Sequence, residues 1–210
     1  MERLRLVRLV LGPLATNCYV LGDVETKEAV VIDPGAPDDV LFEAVSDFRV
    51  TDILLTHAHF DHIGGVAELK RRTGARLWVH ERERDWLADG SKNGSALWLE
   101  TPITAPAPDR LLSGGEVLTL AGTEVRVLFT PGHSPGHVSF ALREAVISGD
   151  ALFAGSIGRT DLYGGDYDTL MASIRSRLLT LPDETVLLPG HGPETTIKAE
   201  RATTPFLVSP

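Results

Sequence analysis

Short apolar segments, separated by Gly, Asp and Pro, are the main feature of the hydrophobic pattern of this chain. Apolar and polar residues alternate over 4–10, and continuous apolar runs recur after that, which predicts β-strands joined by tight turns. The strands predicted in the first half are 4–10, 18–21, 29–32, 52–56 and 76–79. Those predicted in the second half are 116–120, 124–129, 137–142, 145–147 and 185–188.

Apolar residues at helical spacing occupy many of the segments between these strands. The predicted helices are 37–48, 64–73, 81–87, 168–180 and 193–203. Residues 90–110 are rich in Gly, Ser, Pro and Thr and predict a long surface loop, a kind of segment that often carries function in compact domains. Two sheets with helices on their outer faces make an α/β fold, a four-layer αββα sandwich, and we expect one domain over residues 1–210.

The composition narrows the classes of protein and compartment. The 210 residues are 43% hydrophobic and carry a formal net charge of −9 at pH 7, which is typical of a globular protein and disfavours binding to nucleic acid. No apolar run approaches the roughly 20 residues of a membrane helix, so no membrane association is expected. The single cysteine and an arginine-interrupted N-terminus without a cleavage site predict a cytoplasmic protein.

The strongest chemical signal is the run HAHFDH at residues 57–62, which directly follows the predicted strand 52–56. Neutral imidazole and carboxylate are the ligands that borderline divalent metals prefer. A loop at a strand end can direct His57 and His59 at one ion, while Asp61 and His62 point at a second. A polar, solvated turn is the alternative, but such groups rarely crowd against a buried strand without a function.

Three further candidate ligands each follow another predicted strand, and they are His133, Asp150 and His191. The carboxylate of Asp150 has two oxygens and can bridge two cations, although an aspartate also suits an ordinary turn. His191, between two glycines, would complete the second site. Four strand ends therefore deliver candidate ligands to one edge of the sheets.

Other polar residues in the same regions have structural interpretations. Residues 132–136 match G-x-S-x-G, but that serine-hydrolase motif needs a helix after the serine, and a turn and strand are predicted instead, so a Ser134 nucleophile is disfavoured. His137 opens that strand and His80 ends another, so we expect packing or supporting roles for both. Cys18 lies in a predicted strand and is expected in the core. Three tryptophans suit either the core or the site: Trp78, Trp86 and Trp98.

The order of the candidate ligands resembles that of the metallo-β-lactamase superfamily, and the resemblance spans nearly the whole chain. Within that superfamily, four motifs resemble the glyoxalase II (hydroxyacylglutathione hydrolase) group and its short bacterial members. These motifs are 130–137 (TPGHSPGH), 149–153 (GDALF), 155–161 (GSIGRTD) and 190–193 (GHGP).

The resemblance implies an αββα metallo-β-lactamase-like domain with two divalent metal ions, Zn, Fe or Mn, at one edge of the sheets. It implies one ion held by His57, His59 and His133. It implies a second ion held by Asp61, His62 and His191. Asp150 and a hydroxide would bridge the two ions, and Asp61 would also orient the hydroxide, so both aspartates would be catalytic.

The same resemblance implies a small-molecule substrate, S-D-lactoylglutathione or a related thioester, cleaved by the bridging hydroxide. Arg159 and Tyr163 are the candidate substrate contacts, although Arg159 is equally suited to brace its loop through Asp161. Lys198 and Arg201 would reach the site only if the C-terminal segment folds back. Full-length glyoxalase II has a further helical domain that contacts glutathione, so the thiol part of the substrate is left open.

Other reactions fit the same fold. The persulfide dioxygenase group also resembles this chain, at residues 149–152 (GDAL) and 158–161 (GRTD), and that resemblance implies one iron at His57, His133 and Asp150. A lactonase would open an ester ring with the same hydroxide. A β-lactamase is disfavoured because a cytoplasmic protein does not meet cell-wall antibiotics. A non-catalytic metal-binding module is disfavoured by the complete set of candidate ligands. The sequence also leaves a homo-oligomer open.

Overall fold

The computed structural model describes residues 3–208 and contains, within that range, two six-stranded sheets. The first sheet consists of β1 (Leu4–Leu11), β2 (Thr16–Asp23), β3 (Glu28–Ile32), β4 (Arg49–Leu54), β5 (Arg76–His80) and β6 (Arg110–Leu112). These strands lie in chain order across the sheet. The pairs from β1 to β3 are antiparallel, whereas those from β3 to β6 are parallel.

The second sheet is formed by the later part of the chain. Its strands are β7 (Val117–Leu120), β8 (Thr123–Phe129), β9 (Val138–Ala141), β10 (Ala145–Gly149), β13 (Val186–Pro189) and β14 (Thr195–Thr196), and the hairpin β11 (Leu152–Phe153) and β12 (Ser156–Ile157) lies apart from it. The order across the sheet is β14-β13-β10-β9-β8-β7. The pair β10 and β13 is parallel, so both strands end at the same edge.

Helices cover the outer faces of both sheets. The α-helices are α1 (Asp39–Ala44), α2 (Phe60–Ile63), α3 (Val66–Thr73), α4 (Tyr167–Ser173), α5 (Ile197–Thr203) and α6 (Pro205–Val208). Two 3-10 helices span Glu81–Ala88 and Ser95–Leu97, and α4 continues into a π-helical turn at Ile174–Leu178. Among residues 3–208, none of the helices has the length and apolar character needed to cross a membrane.

Each sheet separates two layers of packed side chains, because successive side chains of a strand point to opposite faces. In β4, Ile53 belongs to the core beneath α1 and α3, whereas Leu54 packs between the two sheets. Phe140 of β9 lies in the same inter-sheet core. On the far side, Leu170 of α4 and Val146 of β10 pack in a third cluster. The order helix, sheet, sheet, helix confirms the predicted four-layer αββα fold.

Element ends depart from prediction in several places. The predicted helix 37–48 is shorter, because only 39–44 are helical and the chain then turns into β4. The predicted helix 64–73 is preceded by the separate short helix α2, and the loop 90–110 contains a 3-10 turn and the first residue of β6. Strands of two or three residues were missed because so short a segment has no readable period. The predicted domain bounds, 1 and 210, lie outside the described residues.

Candidate metal centre

All seven predicted ligands lie at one edge of the sandwich, on loops that follow strand ends or, for Asp61 and His62, on the short helix α2. The loop after β4 carries His57 and His59, the helix α2 that follows it carries Asp61 and His62, and the loop after β8 carries His133. Asp150 follows β10 and His191 follows β13. The two sheets are joined at this edge, because the Val138 N–H donates a hydrogen bond to the Thr56 carbonyl at 2.8 Å.

Three imidazoles form the first group of ligand atoms. Nε2 of His133 lies 2.9 Å from Nδ1 of His59 and 3.2 Å from Nε2 of His57. Ligands about 2.1 Å from a tetrahedral ion lie about 3.4 Å from one another. The three nitrogens are therefore close to the spacing that a single divalent ion requires.

A second group lies beside the first. Oδ2 of Asp61 is 3.2 Å from Nε2 of His191 and 3.6 Å from Nε2 of His62. Asp150 stands between the groups, with Oδ1 3.4 Å from Nε2 of His62 and Oδ2 3.7 Å from Nε2 of His133. Gly190 permits this approach, since a Cβ there would lie 2.0 Å from Oδ1 of Asp150. One carboxylate thus faces both groups.

Buried polar atoms without partners support a cation at this place. Nε2 of His62 and Oδ1 of Asp150 are buried and make no hydrogen bond with the described residues. An unsatisfied buried polar group costs about 1–3 kcal/mol, so such atoms call for a specific explanation. A divalent ion is the group that accepts electron pairs from imidazole and carboxylate together. The donor set therefore fits a metal site.

Burial keeps the first group of histidines neutral. It lowers the pKa of His57 far below its ordinary value and that of His59 to about 3, and the neighbouring imidazoles lower both further. Burial also lowers the pKa of His133, although Asp150 opposes the change. Neutral imidazole is the form that binds metal, so these side chains are ready to coordinate an ion.

The second group has the opposite character. Burial acts to lower the pKa of His62, but the carboxylates of Asp61 and Asp150 outweigh it and raise the pKa well above the ordinary value. His191 is raised for a similar reason, because its contact with Asp61 outweighs burial. Burial acts to raise the pKa of Asp61, yet His62 and His191 lower it to about 2. A cation bound here would have to displace protons.

A cavity of about 610 Å³ opens over both groups. His59, Asp61 and Asp150 are among the groups that line it, together with apolar side chains that include Trp98 and Phe153. Trp98 lies on the loop that was predicted to carry function, and that loop contributes a wall of the cavity. The site therefore has room for a small molecule above the candidate ligands.

A family model of the metallo-beta-lactamase superfamily matches residues 11–191. The chain belongs to that superfamily. The resemblance inferred from the order of the candidate ligands is thereby confirmed at the level of the superfamily.

Two relatives in the superfamily align with almost the whole chain. A probable metallo-hydrolase of Bacillus subtilis, YqgX, is 43% identical over 204 residues, which cover 95% of this chain and 96% of that protein. The hydroxyacylglutathione hydrolase GloC of Haemophilus influenzae is 39% identical over 198 residues, covering 92% of this chain and 93% of GloC.

Solved structures from the superfamily have the same architecture. The crystal structure of BLEG-1, described as a B3 metallo-beta-lactamase, is 43% identical with a TM-score of 0.93, covering 98% of this chain and 100% of that one. The structure of TTHA1623 in a di-iron-bound form is also 43% identical, with a TM-score of 0.83, covering 96% of this chain and 100% of that one.

Of the two predicted substrate contacts, Arg159 lies in the wall of the cavity and Tyr163 does not. Arg159 lines the cavity, and its guanidinium donates two hydrogen bonds, of 2.7 and 2.8 Å, to the carboxylate of Asp161. This is the bracing pair considered as the alternative role for Arg159. Tyr163 packs against Trp86, with ring centroids 5.6 Å apart, and is not part of the cavity lining. Its contact with substrate stays a prediction.

Lys198 and Arg201 were expected to reach the site only if the C-terminal segment folds back, and the described part of that segment does not fold over the site. Lys198 pairs with Glu184 at 3.6 Å and Arg201 pairs with Asp183 at 2.5 Å. Neither lines the cavity. The tail instead packs as α5 against the outer face of the second sheet, where Ile197 joins its core.

His137 and His80, which were expected to have packing or supporting roles, belong to neither ligand group. Nε2 of His137 accepts a hydrogen bond from the Asp150 N–H at 3.0 Å, so its Nδ1 carries the proton and donates to Oγ1 of Thr130 at 2.9 Å. His137 thereby positions the backbone of Asp150. His80 stacks on Phe129 with centroids 4.7 Å apart, outside the cluster.

The tryptophans and the cysteine also divide between the core and the site. Cys18 and Trp86 are buried in the core, and burial raises the pKa of the Cys18 thiol. The Trp78 indole donates to Asp52 at 2.7 Å on the first sheet, and Trp98 alone of the three tryptophans lines the cavity.

Glu83 is a supporting residue that the sequence did not reveal. It is fully buried on the 3-10 helix after β5, and its carboxylate accepts hydrogen bonds from the Ala58 N–H at 2.6 Å, Ser134 Oγ at 2.5 Å and the Gly136 N–H at 2.7 Å. Burial raises its pKa to about 7 although these three donors oppose the shift. Glu83 therefore ties together the two loops that carry His57, His59 and His133.

The contact with Glu83 also explains the serine motif. Ser134 is fully buried, its hydroxyl is committed to Glu83, and a strand rather than a helix follows. This geometry agrees with the expectation that Ser134 is not a nucleophile.

Asp33 is a second supporting residue that was missed. It follows β3, and its carboxylate accepts hydrogen bonds from Thr56 Oγ1 at 2.6 Å and from the Thr56 N–H at 2.8 Å. The Thr56 oxygen lies 3.0 Å from Nδ1 of His57, and Oδ2 of Asp33 lies 3.0 Å from Nδ1 of His62, outside hydrogen-bond alignment. The carboxylate therefore supports His57 through Thr56 and places its negative charge against His62 of the second group. Its sequence signal, an Asp-Pro-Gly turn after a strand, is not specific.

Proposed function

We propose that this protein is a glyoxalase II-like thioesterase that hydrolyses S-D-lactoylglutathione or a related thioester with two divalent metal ions. The observation that carries the proposal is the pair of adjacent ligand groups that share the carboxylate of Asp150. His57, His59 and His133 would hold one ion, and Asp61, His62 and His191 would hold the other. Asp150 would contact both.

A pair of divalent cations supplies a water acidified towards neutral pH and polarises a carbonyl oxygen. The residues around it position the reactants. Asp61 accepts a hydrogen bond from Thr16 Oγ1 at 3.0 Å, which fixes the carboxylate so that it can orient the attacking water. A bond forms between the water oxygen and the thioester carbon, the carbon–sulfur bond breaks, and the products are a carboxylic acid and a thiol.

The relatives support this proposal in two ways. GloC, 39% identical over almost the same length, carries the name of a hydroxyacylglutathione hydrolase. The di-iron-bound form of TTHA1623 supports a content of two ions, with iron as one candidate beside zinc and manganese. The acidic chain and the size of the cavity support a small-molecule partner rather than nucleic acid.

The test is turnover by purified protein whose metal content has been measured. We expect loss of S-D-lactoylglutathione to require bound metal, to stop on chelation and to return on reloading. Asp150→Ala should abolish turnover, whereas Asp168→Asn, at an exposed aspartate on α4, should leave it unchanged. A fully loaded wild-type protein that leaves S-D-lactoylglutathione and related thioesters intact would refute the proposal.

A β-lactamase is the second candidate, because BLEG-1 superposes with a TM-score of 0.93. Turnover of a chromogenic cephalosporin without turnover of thioesters would favour it. A lactone substrate tests the lactonase alternative in the same assay. Oxygen uptake with glutathione persulfide tests a dioxygenase with one iron at His57, His133 and Asp150, a reaction that would leave the second ligand group without a role.

A further inference from the structure

The outer part of the cavity is built from apolar side chains that are open to solvent. Leu14, Trp98 and Leu99 line it and are 50%, 64% and 39% exposed. Phe60 and Phe153 are half-buried and extend the same surface towards the ligand groups. Covering exposed apolar surface of this kind with an apolar ligand lowers the free energy, because it removes that surface from water.

The described residues that line the cavity offer no free cation. Among residues 3–208, Arg159 is the one Lys or Arg side chain in the lining, and both of its hydrogen bonds go to Asp161. The nearby Lys92 pairs with Asp89 at 3.9 Å. The exposed Glu100 directly follows Leu99 and adds a negative charge at the same end. Within the described lining, a carboxylate would find no unpaired cation, and Arg8, whose guanidinium donates to the Gly192 carbonyl at 3.3 Å, lies outside that lining.

The loop that presents Trp98 is held in place by hydrogen bonds to the side chain of Asn93. Asn93 is fully buried, and its amide donates to the carbonyls of Trp86 and Ile103 at 3.1 and 3.0 Å. Its carbonyl oxygen accepts from the backbone and hydroxyl of Ser95 at 3.0 and 2.7 Å. The apolar mouth is therefore a preformed surface rather than a disordered segment.

We infer that the preferred substrate is a thioester whose thiol part is uncharged and apolar, not glutathione; this inference rests on the proposed thioesterase function. Glutathione keeps both of its carboxylates after its sulfur is acylated, and they would meet apolar side chains and a neutralised arginine. An apolar thiol part would cover Trp98 and Leu14 instead. Each methylene that it buries there raises kcat/KM about fourfold.

The test uses one acyl group on three thiols. The lactoyl thioesters of glutathione, N-acetylcysteamine and N-hexanoylcysteamine are compared by kcat/KM with metal-loaded protein. The two cysteamine esters have the same leaving-group chemistry and differ only in four methylenes. We expect the hexanoyl ester to exceed the acetyl ester by about tenfold or more, which corresponds to partial burial of the tail, and to exceed the glutathione ester as well.

Two matched variants locate the effect. Trp98→Ala should remove most of the gain from the hexanoyl tail, whereas Leu97→Ala, at a neighbour that is 65% exposed and outside the lining, should preserve it. Leu14→Ala, on a separate loop, should reduce the gain in the same way and serves if Trp98→Ala does not fold.

A higher kcat/KM for the glutathione ester than for the hexanoyl ester would overturn the inference and leave the thioesterase proposal standing. Equal effects of Trp98→Ala and Leu97→Ala on all three esters would also overturn it. Failure of loaded wild-type protein to cleave any of the three would overturn both.

Discussion

The contacts of Glu83 allow a substitution whose effect can be worked out atom by atom. Glu83→Gln keeps the shape of the buried side chain but replaces one carboxylate oxygen with an NH₂ group. The remaining oxygen can still accept from Ser134 and Gly136, which share Oε1. The new NH₂ then faces the Ala58 N–H, which previously donated to Oε2 at 2.6 Å. Two donors would meet in a buried place with no acceptor between them.

The cost follows from that geometry. A buried donor left without its partner costs about 1–3 kcal/mol, and a protein of this size loses about 2–4 °C in Tm for each kcal/mol. The expected fall in Tm is therefore about 2–12 °C. Ala58 lies between His57 and His59, so the same change should loosen the first ligand group. Losses of a residue that orients a metal ligand typically lower affinity by about 10–100-fold.

Calorimetric melting and competition with a chelator measure the two effects. The matched control is Glu81→Gln, at an exposed glutamate on the same 3-10 helix. We expect Glu81→Gln to behave as wild type in both measurements. If Glu83→Gln melts at the wild-type temperature and retains metal as well as Glu81→Gln does, the conclusion that Glu83 ties the loops together is wrong.

Four other changes test separate parts of the site. Asp150→Ala removes the carboxylate between the ligand groups, so elemental analysis should find fewer ions per chain; full loading and activity would contradict the bridging role. Lowering the pH from about 8 to about 6 should release the ion near His62 and His191 first, because the pKa values of these two histidines are raised and protons compete with the ion there. Dialysis followed by metal analysis at each pH measures the release, and simultaneous loss of both ions would contradict this prediction. Ser134→Ala should keep turnover near wild type while costing about 1 kcal/mol of stability in a denaturant melt, and complete loss of activity with metal retained would revive a serine mechanism. Asn93→Ala leaves four hydrogen bonds of the cavity loop unmade, so KM should rise more than kcat falls, and an unchanged KM would argue against a role for this loop in binding.

Local patterns predicted most of the fold and the position of the candidate ligands. HAHFDH after a buried strand, and single ligands beside glycines after three others, place their side chains at strand ends whatever the details of the loops. Strands β8, β10 and β13 end at one edge of the second sheet, and the first sheet packs face to face with it, so the convergence of His133, Asp150 and His191 with His57 could be expected before the structure was known. The spacing of apolar residues along the strands and helices predicted the four layers, because it shows which face of each element is buried.

The supporting contacts could not be predicted in this way. Glu83 lies in a charged segment, ERERDWL, that is typical of an exposed helix, and its partners are 25 to 53 residues away. Asp33 likewise acts through Thr56, 23 residues away. The partners of Asn93 are only 2 to 10 residues away, but they lie in an irregular loop whose sequence has no readable period. The position of Tyr163 against Trp86 is set by packing between distant segments in the same way. The pairing of Arg159 with Asp161 is local and was one of the two roles that the sequence offered for Arg159.

The cavity loop folds around Asn93 and supplies none of the candidate metal ligands, although its Asn93 carbonyl accepts a hydrogen bond from the Phe60 N–H of α2 at 3.0 Å. The side chain at the exposed end of the loop, Trp98, can therefore be exchanged without removing any group that would hold an ion. Substrate preference and bond cleavage are thus assigned to different parts of the chain, and a single substitution at position 98 changes the first without touching the second.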